Sequence, residues 1–216
     1  MKKYALYTAV YGVPGKKRSH QVFTTGVDKI CYTDIKDFTF SDYQIKQMDL
    51  SHIAPTSVKR QRYSKICIPD EIFYNYEYSL YADRKYSTNA DFDWLLWRLG
   101  PDSDFLVSKH KGRDCLYDEG MKCVEAGKGD KESIFKQLDF YKNDGYPINN
   151  GLYATGWLFR RHTKKLKEAM SSWWMEVKKY SERDQVSLPY VIWKHDINIS
   201  LNMRYLSHAA LKKGTK

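Results

Sequence analysis

What most constrains the fold of this chain is a series of short apolar runs, each stopped by a polar residue, alternating with segments of helical period. Tyr4 to Tyr11 (YALYTAVY) is β-branched and aromatic and ends at Gly12, Lys29 to Thr33 ends at Asp34, and Tyr78 to Ala82 ends at Asp83. Asp104 to Ser108 and Gly151 to Phe159 read as further strands. Between them, Val58, Arg62 and Ile66 recur at helical spacing in a basic segment bounded by Pro55 and Pro69. Ile134, Leu138 and Tyr141 share one face of a helix that stops at Asn143-Asp-Gly145, and Leu166, Met170, Trp173 and Val177 form an amphipathic stripe. Strands and helices mixed in this order predict an α/β layer structure. In such folds ligands bind at the carboxyl ends of the strands.

The chain has 216 residues, which suits one domain over residues 1–210 followed by a basic tail, 211–216. No window approaches the run of about 18 apolar residues that a membrane span needs, and the N-terminus is too polar for a signal peptide, so a cytoplasmic location is expected. The four cysteines, Cys31, Cys67, Cys115 and Cys123, contain no CxxC pair and read as buried structural thiols. With 36 Lys+Arg against 26 Asp+Glu the formal net charge is +10, which fits either a solvated basic surface or a field that gathers an anionic partner such as DNA or an acidic glycan.

Asp34 and Asp83 stand where strands end. A carboxylate there can accept from a ribose hydroxyl or ligate a hard divalent cation that bridges phosphates, although Asp is also common in plain turns. Lys59, Arg60, Arg62 and Lys65 lie between the two; a pair on one helix face can hold a phosphate, and a solvated basic helix is the plain alternative. His110, Lys111, Arg113 and Glu119 follow the strand at Asp104, with Cys115 beside them as a weak nucleophile candidate. Ser181-Glu-Arg-Asp184 reads as a capping box, with Ser181 as N-cap and Asp184 three residues on; Asp184 can equally point into a cleft beside Arg183 and take a proton. His195 and His208 are candidate ligands late in the chain.

Taken together, YTAVYG, a strand ending TD, R-Y-S-K followed by IP, S-K-H-x-x-R-x-C-L-Y-x-E, Q-x-x-x-Y, G-Y-P-x-N-N-G-L-Y, a Trp-Trp helix and S-x-R-D-Q resemble the mucilage-related glycosyltransferase family of plants, bacteria and phages. The resemblance covers roughly residues 4–193 and implies an α/β GT-A-like fold with a mixed central sheet flanked by helices, a nucleotide-sugar donor and a hexosyl- or pentosyltransferase activity. It implies that Thr8, Tyr11 and Asp34 hold the nucleoside, that Arg62 and Lys65 face its diphosphate, and that Asp83 ligates Mn2+ or Mg2+. The metal motif of that fold, D-x-D, is here Tyr81-Ala82-Asp83, with Tyr in place of the first carboxylate, and His195 is the candidate to complete the site. Asp184 takes the place of the base that deprotonates the acceptor, or of a sugar-holding carboxylate in retaining relatives, with Arg183 beside it. His110, Arg113, Glu119, Asn149, Asn150, Gly151 and Gln185 fall on the acceptor or sugar side, with Tyr153 or Trp157 to stack on a sugar. Three alternatives stand beside this expectation: a phage-type enzyme glycosylating hydroxymethylated bases in DNA, a non-catalytic nucleic-acid-binding module, and a nucleotide-binding fold that has lost turnover.

Overall fold

Strand alternation sorts the first apolar run onto two faces. In a computed structural model that describes residues 2–12, 26–84 and 91–202, β1 (Lys2–Val10) sends Ala5, Tyr7 and Ala9 into one core and Leu6 and Val10 into another. Both faces of the strand are buried, which is why the run reads as continuously apolar. The basic tail 211–216 and His208 lie outside the described residues.

The chain continues through β2 (Asp28–Thr33), β3 (Gln44–Gln47), α1 (Ser57–Ile66), α2 (Asp70–Asn75), β4 (Tyr76–Ala82), α3 (Phe92–Leu99), β5 (Phe105–Lys109), α4 (Leu116–Glu125), α5 (Lys131–Asn143), β6 (Tyr153–Arg161), α6 (Lys164–Lys179), α7 (Asp184–Lys194) and β7 (Ile199–Asn202). The strands form one sheet in the order β3-β2-β1-β4-β6-β5-β7. The β1–β2, β1–β4, β2–β3 and β5–β7 pairs are parallel, and β6 is antiparallel to both β4 and β5. Six strands therefore end at one edge, as a mixed GT-A-like sheet requires.

One sheet face carries the larger core, built with residues of α1, α4, α5, α6 and α7; the other packs on Phe92, Leu95 and Leu99 of α3. The stripe read from the sequence in α6 is the buried one: Leu166, Met170, Trp173 and Val177 are all within the core. Trp173 also fixes the start of α7, because its indole Nε1 donates to the Asp184 carbonyl at 3.0 Å and to Ser187 Oγ at 3.0 Å. Replacing Trp173 by Phe keeps the ring packing and removes the donor. A loss of about 1–3 kcal/mol is expected, read as a lowered midpoint in denaturant without a change in slope.

Candidate functional site at the carboxyl edge of the sheet

At the ends of β1 and β2, Gly12 adopts φ +71°, and a Cβ there would lie 2.7 Å from Ser57 Cβ, so only glycine lets the chain pass this close to the start of α1. Its amide donates to Asp34 Oδ1 at 3.0 Å, and Arg60 of α1 pairs with Asp34 Oδ2 at 3.1 Å. Tyr11 shares a hydrogen bond of 2.7 Å with Ser64 Oγ, and burial pushes its phenol up to about 12. Thr8 differs from its expected role: it is fully buried and, by strand alternation, points to the face of Leu6 and Val10, away from Tyr11.

At the end of β4 the same helix supplies a denser network. Tyr81 donates to Asp83 Oδ1 at 3.0 Å, and the Gln61 amide donates to that oxygen at 3.1 Å and to the Tyr81 hydroxyl. Arg62 in turn donates to Gln61 Oε1. Arg62 Nε and Lys65 Nζ lie 3.3 and 2.5 Å from the two oxygens of Asp184. Lys65 and Asp184 are buried, and Arg62 is 19% exposed at its side chain. Burial alone raises the Asp184 carboxyl, but the Lys65 and Arg62 charges together with hydrogen bonds from Lys65 and Thr155 outweigh it and hold the group down at about 2.

This arrangement replaces the expected capping box. α7 begins at Asp184, with Arg183 as its N-cap, and Ser181 Oγ accepts from the Arg183 amide at 3.2 Å. Asp184 is drawn inward by two cations instead of closing on backbone amides. Gln61, which organises Asp83 from α1, carried no signal in sequence: a lone amide in a basic segment has no spacing that marks it.

Beyond β5, Arg113 donates to Glu119 Oε2 through Nε at 2.9 Å and Nη2 at 2.5 Å, and His110 Nε2 lies 3.4 Å from Arg113. Burial and the Arg113 charge lower the His110 pKa. Cys123 Sγ lies 3.7 Å from Glu119 Oε1 and also hydrogen-bonds Arg183, so this cluster adjoins the start of α7 and its half-buried Gln185. Asn149 and Gly151 take left-handed backbone just before β6, with Asn150 exposed between them. Tyr153 and Trp157 are buried, at 8% and 3% exposure, so neither ring offers a face for stacking a sugar.

His195 is not brought to this edge. It caps the C-terminus of α7, about 16 Å along the helix from Asp184 at 1.5 Å per residue. Among the described residues no three His, Cys, Asp or Glu side chains converge as a metal site. Among the described residues the strand-end carboxylate of Asp83 has no second His, Cys, Asp or Glu gathered with a third around it. One carboxylate fits a hard ion of the magnesium type, which takes one or two carboxylates and completes its shell with phosphate oxygens and water.

The profile of the TOD1/MUCI70 glycosyltransferase-like domain matches residues 59–213, well over half of the chain. The chain belongs to the TOD1/MUCI70 family. The matched region holds α1 from Lys59 onward, Asp83, the Arg113–Glu119 cluster and Asp184. The probable hexosyltransferase MUCI70 of Arabidopsis thaliana is 31% identical over 132 residues, which is 56% of this chain and 22% of that protein, so this TOD1/MUCI70 domain matches about a fifth of its relative's length. Among solved structures, the bifunctional glycosyltransferase WbbM superposes with TM-score 0.53 at 12% identity, covering 93% of this chain and 39% of WbbM, and supports the glycosyltransferase fold. Mouse xyloside xylosyltransferase 1 superposes with TM-score 0.47 at 7% identity, covering 93% and 85% of the two chains. No helix among the described residues is long and apolar enough to cross a membrane.

Proposed function

We propose that this domain transfers a hexosyl or pentosyl group from a nucleotide-sugar donor to an acceptor hydroxyl, with the donor diphosphate seated on Arg62 and Lys65. One observation carries the reading: two cations on one face of α1, one of them fully buried, meet on the Asp184 carboxylate at the start of α7, at the ligand edge of a TOD1/MUCI70 glycosyltransferase-like domain. A departing nucleoside diphosphate needs its charge neutralised by fixed groups that require no reorganisation, and Arg62 and Lys65 are fixed. Tyr11 and Asp34 flank the nucleoside at the ends of β1 and β2. Asp83, oriented by Tyr81 and Gln61, is the ligand for Mn2+ or Mg2+, and a bound cation would add to the neutralisation of the diphosphate.

Asp184 is the proton acceptor of this scheme, and its geometry makes it a conditional one. Held near 2 by its ion pairs, the carboxylate is a poor base at neutral pH. A diphosphate that draws Lys65 and Arg62 to itself removes the charges that hold the group down, and burial then lifts it toward the working range. The base is thereby coupled to donor occupancy. Arg183, His110, Arg113, Glu119, Gln185, Asn150 and Gly151 line the acceptor side, where Arg113 and Arg183 favour an anionic acceptor such as an acidic glycan. Family membership does not favour a non-catalytic nucleic-acid module or a DNA-modifying enzyme.

A melting panel of UDP-, GDP-, dTDP- and CMP-sugars, with and without Mn2+, tests the donor site. At 100 times its Kd a ligand adds about 2.7 kcal/mol, roughly 5–10 °C for a chain of this size. One diphosphate class is expected to give that shift, and the CMP-sugars, which lack a diphosphate, to give none. Asp83→Asn should abolish whatever part of the shift depends on Mn2+. No shift with any donor, together with tight salt-sensitive DNA binding, would transfer the assignment to a nucleic-acid module.

A further inference from the structure

Arg160 of β6 is a fully buried guanidinium that the scheme above does not use. It has no carboxylate within ion-pair distance among the described residues. Its Nη1 donates to the Ile66 carbonyl at 3.0 Å, its Nη2 donates to the Tyr7 hydroxyl, and its Cζ lies 5.8 Å from the centre of the Tyr7 ring. Ile66 is the last residue of α1, where the helix leaves its carbonyls unsatisfied and its dipole negative, so a buried cation is well matched to that position. Tyr7 donates in turn to the Lys65 carbonyl at 3.4 Å. The last two carbonyls of α1 are thus tied to β6 and β1 from inside the core, directly under Lys65 and one turn beyond Arg62.

A guanidinium buried without a carboxylate is unfavourable unless its donors do specific work. Here they fix the rotation and height of the helix end that presents the cations. We propose that Arg160 is a positioning residue for the diphosphate-binding face of α1, acting through Lys65; this rests on the donor site proposed above. An ordinary core arginine would affect stability alone, whereas a clamp on α1 affects anion binding and does so only while Lys65 is present to be positioned.

A double-mutant cycle read by calorimetric titration of the full chain with inorganic pyrophosphate separates the two. Lys65→Met and Arg160→Met are each expected to weaken pyrophosphate binding on the order of tenfold, and the double variant to bind no more weakly than Lys65→Met. Tyr7→Phe, which removes the hydroxyl between Arg160 and the Lys65 carbonyl, serves the same cycle should Arg160→Met fail to fold, and is expected to weaken binding several-fold. Arg160→Lys keeps the charge but loses the fork, and is expected to fall between wild type and Arg160→Met. The clamp is overturned by an affinity that stays within about twofold in Arg160→Met or Tyr7→Phe, or by losses that simply add to that of Lys65→Met. Should Lys65→Met itself leave pyrophosphate binding unchanged, the donor-site reading falls, and the clamp with it.

Discussion

Asp184→Asn is expected to lower thermal stability and turnover together, by amounts that can be read separately. The substitution preserves shape and leaves the buried Lys65 and the partly exposed Arg62 without the carboxylate that pairs with both. Breaking a buried pair by removing one partner costs about 3–5 kcal/mol, roughly 6–20 °C of melting temperature for a chain of this length. The acid limb gives an independent check. Because the folded carboxyl titrates at about 2 against an ordinary 3.8, its contribution is fully present above pH 3.8 and is lost as pH falls toward 2. That contribution amounts to about 2 kcal/mol from the displacement of the pKa. Melting curves between pH 5 and 2 should therefore fall more steeply in the wild type than in the Asn variant, which keeps only the acid response of other lowered carboxylates such as Asp42 and Asp144. Turnover at saturating donor, measured below the variant's melting range, should fall by about 10²–10⁴ if Asp184 takes the acceptor proton. A variant that melts early yet turns over normally would leave Asp184 as an anchor for the cations and no base.

Much of the scaffold was legible because its signals are local. A strand buried on both faces, such as β1, reads as a continuous apolar run, and the α6 stripe repeats at helical period over three turns. Asp34 and Asp83 were visible because each interrupts an apolar run. What escaped depends on contacts distant in sequence. β3 (QIKQ) is polar and half-exposed, held by pairing with β2 and not by its own pattern. The capping box failed because the pull of Lys65 and Arg62, more than 115 positions earlier, outweighs a local cap. Gln61 became meaningful only once Tyr81 and Asp83 stood beside it. His195 shows the same limit from the other side, since proximity in sequence to Asp184 translates into a full helix length of separation. Trp157 looked available to a sugar because sequence does not say which face of β6 it occupies; that face packs on α3.

Lys65→Met should produce the opposite balance of effects to Asp184→Asn. Methionine matches the length of the lysine stem and suits the buried site, and Asp184 keeps Arg62 at 3.3 Å as a partner. The fold therefore loses less than when the carboxylate is removed and both cations are stranded. The donor site loses a fixed charge that faces the leaving group, for which a drop of about 10²–10³ in turnover is expected, the scale seen when one preorganised electrostatic donor is deleted. The two roles of the pair come apart in the double variant Lys65→Met with Asp184→Leu. Well-packed apolar residues in place of a buried ion pair are often neutral or stabilising, because the desolvation of both charges disappears with them, and Arg62 at 19% exposure can turn its charge to solvent. The double variant is expected to recover most of the melting temperature lost in Asp184→Asn while remaining inactive in sugar transfer. Recovery of both stability and turnover would show that the pair holds the fold and that the chemistry is done elsewhere along the carboxyl edge.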